Sequence, residues 1–91
     1  MKSLTVYSKN ICPYCVNAKN FLKSKGIPFI EVNIETNAVA RDFIMNQGHK
    51  TVPQIYLDND LFVEGGWTGL SKMSKQEIQD KLNPTTDLGT L

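Results

Sequence analysis

The chain is poor in cysteine, in net charge and in long apolar runs. Its 91 residues include 2 cysteines and 1 histidine. Lysine and arginine together number 10, and aspartate and glutamate together number 9. A net charge of +1 leaves no basic excess to neutralise a phosphate backbone, so we expect no nucleic-acid partner. No apolar run approaches the roughly 18–20 residues that span a bilayer, so we expect no membrane association.

The low cysteine content also bears on the cellular compartment. A secreted domain of this size usually carries several disulfides, and the alternating first seven residues are unlike a signal peptide. We therefore expect a cytoplasmic protein. A hydrophobic content of 41% supports one modest core, which predicts a single domain over residues 1–84 followed by a polar tail over residues 85–91.

Hydrophobic periodicity predicts the element order β-α-β-α-β-β-α. Alternating residues predict four strands, at about 2–8, 28–34, 52–57 and 61–63. Helical spacing predicts three helices, at about 13–25, 37–47 and 74–84. Thr36 or Asn37 can cap the second helix, and Ser74 with Glu77 has the form of a capping box for the third. The early strand–helix–strand unit implies a parallel pair with a right-handed crossover, and the later hairpin adds antiparallel strands. The fold class predicted is α/β, with a four-stranded mixed sheet flanked by helices.

The same periodicity assigns residues to the core. The predicted buried positions of the first two helices are Val16, Ala18, Phe21, Leu22, Val39, Phe43 and Ile44. Tyr56 and Phe62 are predicted to lie in the core or in cross-strand pairs. His49, after the end of the second helix, is predicted to be exposed and to have no role as a catalytic base.

The segment Cys12-Pro13-Tyr14-Cys15 joins the first strand to the first helix. Pro13 suits the first helical turn, which places Cys12 at the helix start and Cys15 one turn further, a spacing compatible with a disulfide. Unpaired N–H groups at a helix start stabilise a thiolate, the attacking species. Lys9 adds a nearby positive charge. We predict a catalytic dithiol in which Cys12 attacks and the more deeply buried Cys15 resolves the mixed disulfide.

A structural zinc site is the alternative use of these two cysteines. Zinc requires four ligands, and the chain offers His49 as the one further soft or borderline ligand. A closed zinc site within one chain is therefore disfavoured, and the sequence predicts no metal site. A lone C-x-x-C pair beside a βαβ pattern instead favours redox chemistry.

Three segments resemble, in order, the signature segments of dithiol glutaredoxins. They are residues 7–15, residues 51–55 and the pair Gly65-Gly66, and the similarity extends from about residue 2 to residue 70. The resemblance implies a thioredoxin-like fold with Pro53 in the cis form, facing the dithiol. It also implies a monomeric disulfide oxidoreductase with no tightly bound cofactor and with glutathione as its reducing co-substrate.

The resemblance further implies a groove for glutathione beside Cys12. Carried over position by position, the binding residues are Lys9, Tyr14, Arg41, Thr51, Val52, Pro53, Gly66, Trp67 and Thr68. Lys9 and Arg41 would pair with the glycine carboxylate of glutathione, and the backbone of Val52 with its cysteinyl unit. The N–H groups from Gly66 to Thr68 would face the γ-glutamyl end.

One segment departs from the family pattern. Most glutaredoxins follow the glycine pair with one residue and then an aspartate, whereas here Thr68 stands at that place without a charge. The run from Trp67 to Leu70 resembles instead the redoxins that are reduced by thioredoxin reductase and serve ribonucleotide reductase. Trp67 has a second interpretation, as an aromatic anchor for the last helix.

The predicted function is thus glutathione-dependent reduction of protein disulfides and glutathione mixed disulfides. The alternative is a redoxin that is fed by thioredoxin reductase, and family analogy makes ribonucleotide reductase a candidate acceptor for either. A homodimer that shares an iron–sulfur cluster is a further alternative. Glutaredoxins that bind a cluster mostly carry another residue where Pro13 stands, and the rigidity of this proline disfavours a cluster.

Overall fold

A computed structural model describes residues 2–83. The predicted tail over residues 85–91, and the predicted helix end at Pro84, lie outside this range. The strands are Leu4–Ser8 (β1), Phe29–Asn33 (β2), Gln54–Leu57 (β3) and Asp60–Leu61 (β4). The helices are Pro13–Ser24 (α1), Ala38–Asn46 (α2), Gly66–Leu70 (α3) and Lys75–Leu82 (α4).

The four strands form one mixed sheet in the order β2-β1-β3-β4. Strands β1 and β2 run parallel, with Leu4 opposite Phe29, while β3 is antiparallel to both β1 and β4. The predicted parallel crossover and closing hairpin are therefore confirmed. This topology brings the start of α1, which follows β1, next to the chain that enters β3.

Each face of the sheet has its own hydrophobic packing. Successive side chains of β1 point to opposite faces of the sheet. Leu4 and Val6 lie in a main core that includes residues of α1, α3 and α4. Tyr7 points to the opposite face, where its ring lies 5.8 Å from that of Phe43 in α2 and 5.6 Å from that of Tyr56. The sheet is thus flanked by helices on both faces, and the predicted core positions of Tyr56 and Phe62 are confirmed.

Two predicted caps are also present. Asn37 caps α2, since its side-chain oxygen accepts from the N–H of Ala40 at 3.0 Å. Ser74 and Glu77 form the predicted capping box of α4, with reciprocal hydrogen bonds of 2.8 and 3.1 Å. Both motifs depend on residues three apart, which explains why the sequence reveals them.

Three details of the predicted fold are wrong. The five-residue helix α3 is an additional element, begun by two glycines with positive φ and too short to show a helical period. Strand β4 ends at Leu61, earlier than predicted. Val16 and Val39, both predicted to be buried, are 47% and 80% exposed, because α1 buries Cys15, Ala18 and Leu22 and α2 buries Ala40 and Ile44.

Over residues 2–83, no helix combines the length and the apolar character required to traverse a bilayer.

Candidate active site

Cys12 and Cys15 are joined in a disulfide, with their Cα atoms 5.2 Å apart. Cys12 is the N-cap residue of α1, in an extended conformation, and its sulfur accepts the N–H of Cys15 at 3.1 Å. Pro13 occupies the first helical position. The predicted arrangement is therefore confirmed: one sulfur lies at the helix start, where an anion is stabilised, and the other is buried one turn further, with 1% exposure.

The chain before β3 approaches the dithiol from the neighbouring strand. The carbonyl oxygen of Val52 lies 3.9 Å from the sulfur of Cys12, and the Val52–Pro53 peptide bond is cis, as predicted. Gly66, with φ +56°, lies so close to Pro53 that a Cβ atom at this position would collide with the Pro53 carbonyl oxygen. Glycine at position 66 therefore allows α3 to approach this loop.

A groove of about 350 Å³ adjoins Val52. Its lining residues are Lys9, Ile34, Arg41, Ile44, Met45, His49, Lys50, Thr51 and Val52. Four of the predicted glutathione-binding residues thus share one concavity, although they come from three separate parts of the chain. Lys9, Arg41 and Lys50 give the groove positive charge, and its lining contains no carboxylate.

The other five predicted binding residues lie outside this lining, among them Pro53 and Gly66, which meet behind Val52 as described above. Tyr14 projects from the first turn of α1 and is 63% exposed. Trp67 is half-buried and packs edge-on against Phe21 of α1, with ring centroids 5.4 Å apart. This packing role joins α3 to α1, whereas the sequence interpretation has Trp67 anchor the last helix. Thr68 is exposed, and its N–H donates to the carbonyl of Gly65 at 3.1 Å.

His49 and Lys50 were not among the predicted site residues. His49 is half-buried, not fully exposed, and its Nε2 lies 2.6 Å from the hydroxyl of Tyr56. Burial raises the pKa of that tyrosine. The sequence signal for Lys50 is its position directly before Thr51 and Val52.

A second polar cluster links the sheet to α1. The hydroxyl of Ser8, which is fully buried, donates to the carboxylate of Glu31 at 2.6 Å, and Lys19 donates to the same oxygen at 2.9 Å. These hydrogen bonds, that of Ser8 first, hold the pKa of Glu31 below its ordinary value. The cluster fixes α1 against β1 and β2, and so fixes the helix that carries the dithiol.

Metal-binding clusters of at least three His, Cys, Asp or Glu side chains are not found within residues 2–83.

Comparison with known proteins identifies the family. A family model for Glutaredoxin matches residues 4–62. The chain is 39% identical over 83 residues to Glutaredoxin 3 of Escherichia coli K12, with 82% of this chain and all of that protein covered. The chain belongs to the glutaredoxin family. This glutaredoxin is also 35% identical over 85 residues to Glutaredoxin 1 of Rickettsia conorii, with coverage of 90% and 81%.

Solved structures agree with this assignment. Glutaredoxin 1 from Francisella tularensis, complexed with cacodylate, superposes with a TM-score of 0.61 at 35% identity, covering 78% of this chain and 90% of that one. The holo form of glutaredoxin C1 from Populus tremula x tremuloides gives a TM-score of 0.71 and covers 96% and 81%. At 22% identity the latter shows the fold alone. The present glutaredoxin is a thiol–disulfide oxidoreductase with a thioredoxin-like fold.

Proposed function

We propose that this glutaredoxin takes electrons from glutathione and reduces protein disulfides and glutathione mixed disulfides. The observation that carries the proposal is the cationic groove beside the dithiol. Lys9, Arg41 and Lys50 line it without a carboxylate, and Val52 connects it to the sulfur of Cys12. Glutathione has more carboxylates than ammonium groups, so its net negative charge complements this groove.

The reaction follows from the positions of the two sulfurs. The Cys12 thiolate attacks a substrate disulfide, forms a mixed disulfide and releases one substrate sulfur as a thiolate. Cys15 then loses its proton and attacks the Cys12 sulfur, which closes the intramolecular disulfide and releases the second substrate thiol. Two glutathione thiols reopen that disulfide and leave as one glutathione disulfide, so the electrons balance.

The proposed roles of the binding residues extend from the groove lining to Tyr14 and to the start of α3. Lys9 and Arg41 pair with the glycine carboxylate of glutathione, and the backbone of Val52 pairs with its cysteinyl unit. Lys50, in the same lining, adds a third positive charge. Tyr14 and Thr51 wall the site, and the Gly66–Thr68 segment receives the γ-glutamyl end.

A coupled assay tests the electron source. The oxidised protein is mixed with glutathione, glutathione reductase and NADPH, with a small disulfide as acceptor, and NADPH consumption is followed. We expect sustained turnover that Cys12→Ser abolishes. Absence of turnover, together with reduction by thioredoxin reductase and NADPH, would refute glutathione as the electron source.

The redoxin alternative has its own support in helix α3. None of the residues from Gly66 to Leu70 is acidic, so this helix offers no partner for the γ-glutamyl ammonium. Thr68→Asp supplies that charge and is expected to lower the KM for glutathione. Rapid reduction of the wild-type protein by thioredoxin reductase, with no gain from Thr68→Asp, would favour the redoxin. For either electron source, family analogy makes ribonucleotide reductase the first acceptor to assay.

A further inference from the structure

Ile11, directly before the attacking cysteine, has an unusual conformation. Its side chain is 96% exposed, more than any other large hydrophobic residue between residues 2 and 83. Its backbone φ of +49° lies in the left-handed region, which β-branched residues rarely adopt. Strain of this kind persists where surrounding contacts hold it, and it concentrates at functional sites.

Contacts of Asn10 hold Ile11 in this conformation. The N–H of Asn10 donates to the carboxylate of Glu35 at 2.9 Å, and its side-chain oxygen accepts from the amide of Asn33 at 2.9 Å. Asn33 also accepts from the N–H of Glu35 at 2.8 Å, which closes the network at the end of β2. On its other side Ile11 is bonded to Cys12, which is fixed as the cap of α1.

Local packing does not account for an isoleucine here. A hydrophobic residue before an N-cap often packs against the fourth helical residue, which in α1 is Val16. Ile11 remains 96% exposed and Val16 47% exposed, so this contact is not made. Tyr14, between them in sequence, is 63% exposed. These three exposed side chains lie within residues 11–16 at the start of α1, the segment that also carries Cys12.

We propose that Ile11 is an anchor for polypeptide substrates, which contacts an apolar side chain next to the target cystine in the partner protein. Glutathione has no apolar side chain, so Ile11 contributes nothing that glutathione needs. A polypeptide disulfide does present neighbouring side chains, and Lys9 favours partner segments without excess positive charge. The inference rests on the oxidoreductase activity of the family and is independent of the proposed electron source.

Single-turnover kinetics test this inference without glutathione. Prereduced protein, freed of reductant, is mixed with a disulfide-cyclised peptide that carries Leu next to one cysteine, with the matching Ser peptide, or with hydroxyethyl disulfide. Acid quenching, alkylation and mass spectrometry report how fast Cys12 and Cys15 become oxidised. Ile11→Asn removes an apolar contact the size of an isoleucine side chain. We therefore expect it to slow oxidation of the dithiol by the Leu peptide about tenfold. The other two probes should react at unchanged rates.

Three further variants sharpen the test. Ile11→Leu should keep the preference for the Leu peptide, and Ile11→Gly should lose it as Ile11→Asn does. Because Asn and Gly adopt left-handed conformations readily, thermal unfolding should confirm that both variants fold. Val39 is an 80% exposed apolar residue of α2 that lies outside the groove lining. Val39→Asn is therefore the control and should leave the oxidation rates with all three probes unchanged. Equal wild-type rates for the two peptides, or equal slowing of all probes by Ile11→Asn, would overturn the proposal.

Discussion

The backbone N–H of Cys15 donates to the sulfur of Cys12 across 3.1 Å. This donor belongs to the group of N–H bonds that a helix start leaves without intrahelical partners, and their partial positive charge stabilises an anionic sulfur. We predict that iodoacetamide labels Cys12 of the reduced protein roughly tenfold faster than the buried Cys15. Peptide mapping after partial labelling measures the ratio. Equal labelling would contradict the assignment of Cys12 as the attacking thiol.

Cys15→Ser separates the two proposed reactions. Reduction of a glutathione mixed disulfide requires a single thiolate, because glutathione itself can release the Cys12 adduct. Release of a protein disulfide requires the resolving thiol of Cys15. We therefore expect Cys15→Ser to retain activity on a glutathionylated peptide and to lose most activity on oxidised insulin, both measured in the glutathione-coupled assay. Cys12→Ser is the matched control and should lose both activities.

Charge in the groove should determine the affinity for glutathione. Removing one partly exposed charge by Arg41→Gln or Lys50→Gln is expected to raise the KM for glutathione about two- to fivefold. The effect should shrink as salt screens the groove. Lys72→Gln, at an exposed lysine outside the groove lining, is the control. An unchanged KM for both groove variants would place the glutathione carboxylates elsewhere.

Local signals account for much of what the sequence predicts about the fold and the site. The order of Cys12, Pro13 and Cys15, and the capping box at Ser74, each involve residues within one helical turn. The cis form of Pro53 is implied by the family resemblance and not by local sequence, since most X–Pro bonds are trans. Such features can be recognised before any tertiary packing is known.

Features that depend on packing between distant segments were not predicted. The hydrogen bond between His49 and Tyr56 joins the end of α2 to β3. Lys50 lies in the groove lining because it is close in sequence to Val52, which β3 places next to the dithiol. The exposure of Val39 depends on how α2 is rotated against the sheet. Hydrophobic periodicity identifies the apolar face of a helix but does not fix where that face ends. A residue at the boundary of the face, such as Val39, can therefore be exposed.

The Ser8–Glu31–Lys19 cluster predicts a pH-dependent stability. Hydrogen bonds from Ser8 and Lys19 lower the pKa of Glu31 in the folded state. Its stabilising contribution is therefore fully present above the unfolded-state pKa, and is lost as the pH falls through the lower folded-state value. Because the carboxylate is partly exposed, we expect Glu31→Gln to reduce the free energy of unfolding by about 0.5–1 kcal/mol at pH 7.

Urea unfolding of the oxidised protein between pH 7 and about pH 3 measures this difference. The difference in the free energy of unfolding between wild type and Glu31→Gln should stay constant from pH 7 down to about pH 5 and then become smaller. Glu64→Gln, at an exposed glutamate after β4, is the control and should differ little from wild type at any pH. A gap that widens toward acid would contradict the lowered pKa of Glu31.

Gly66 connects the stability of the fold to the geometry of the groove. Its φ of +56° strains any other residue, and a Cβ atom would also collide with the Pro53 carbonyl oxygen. Gly26→Ala is the matched control, because Gly26 has φ +67° but no atom within 4 Å of its added Cβ. We expect Gly26→Ala to lower the free energy of unfolding by about 1 kcal/mol. Gly66→Ala should lower it by about 1–3 kcal/mol more, because the added Cβ overpacks the contact with Pro53.

The same substitution should alter the groove. Relief of the collision moves α3 away from Pro53, so Gly66→Ala should also raise the KM for glutathione, whereas Gly26→Ala should not. Equal destabilisation in urea unfolding, with an unchanged KM, would show that the contact between Gly66 and Pro53 does not shape the site.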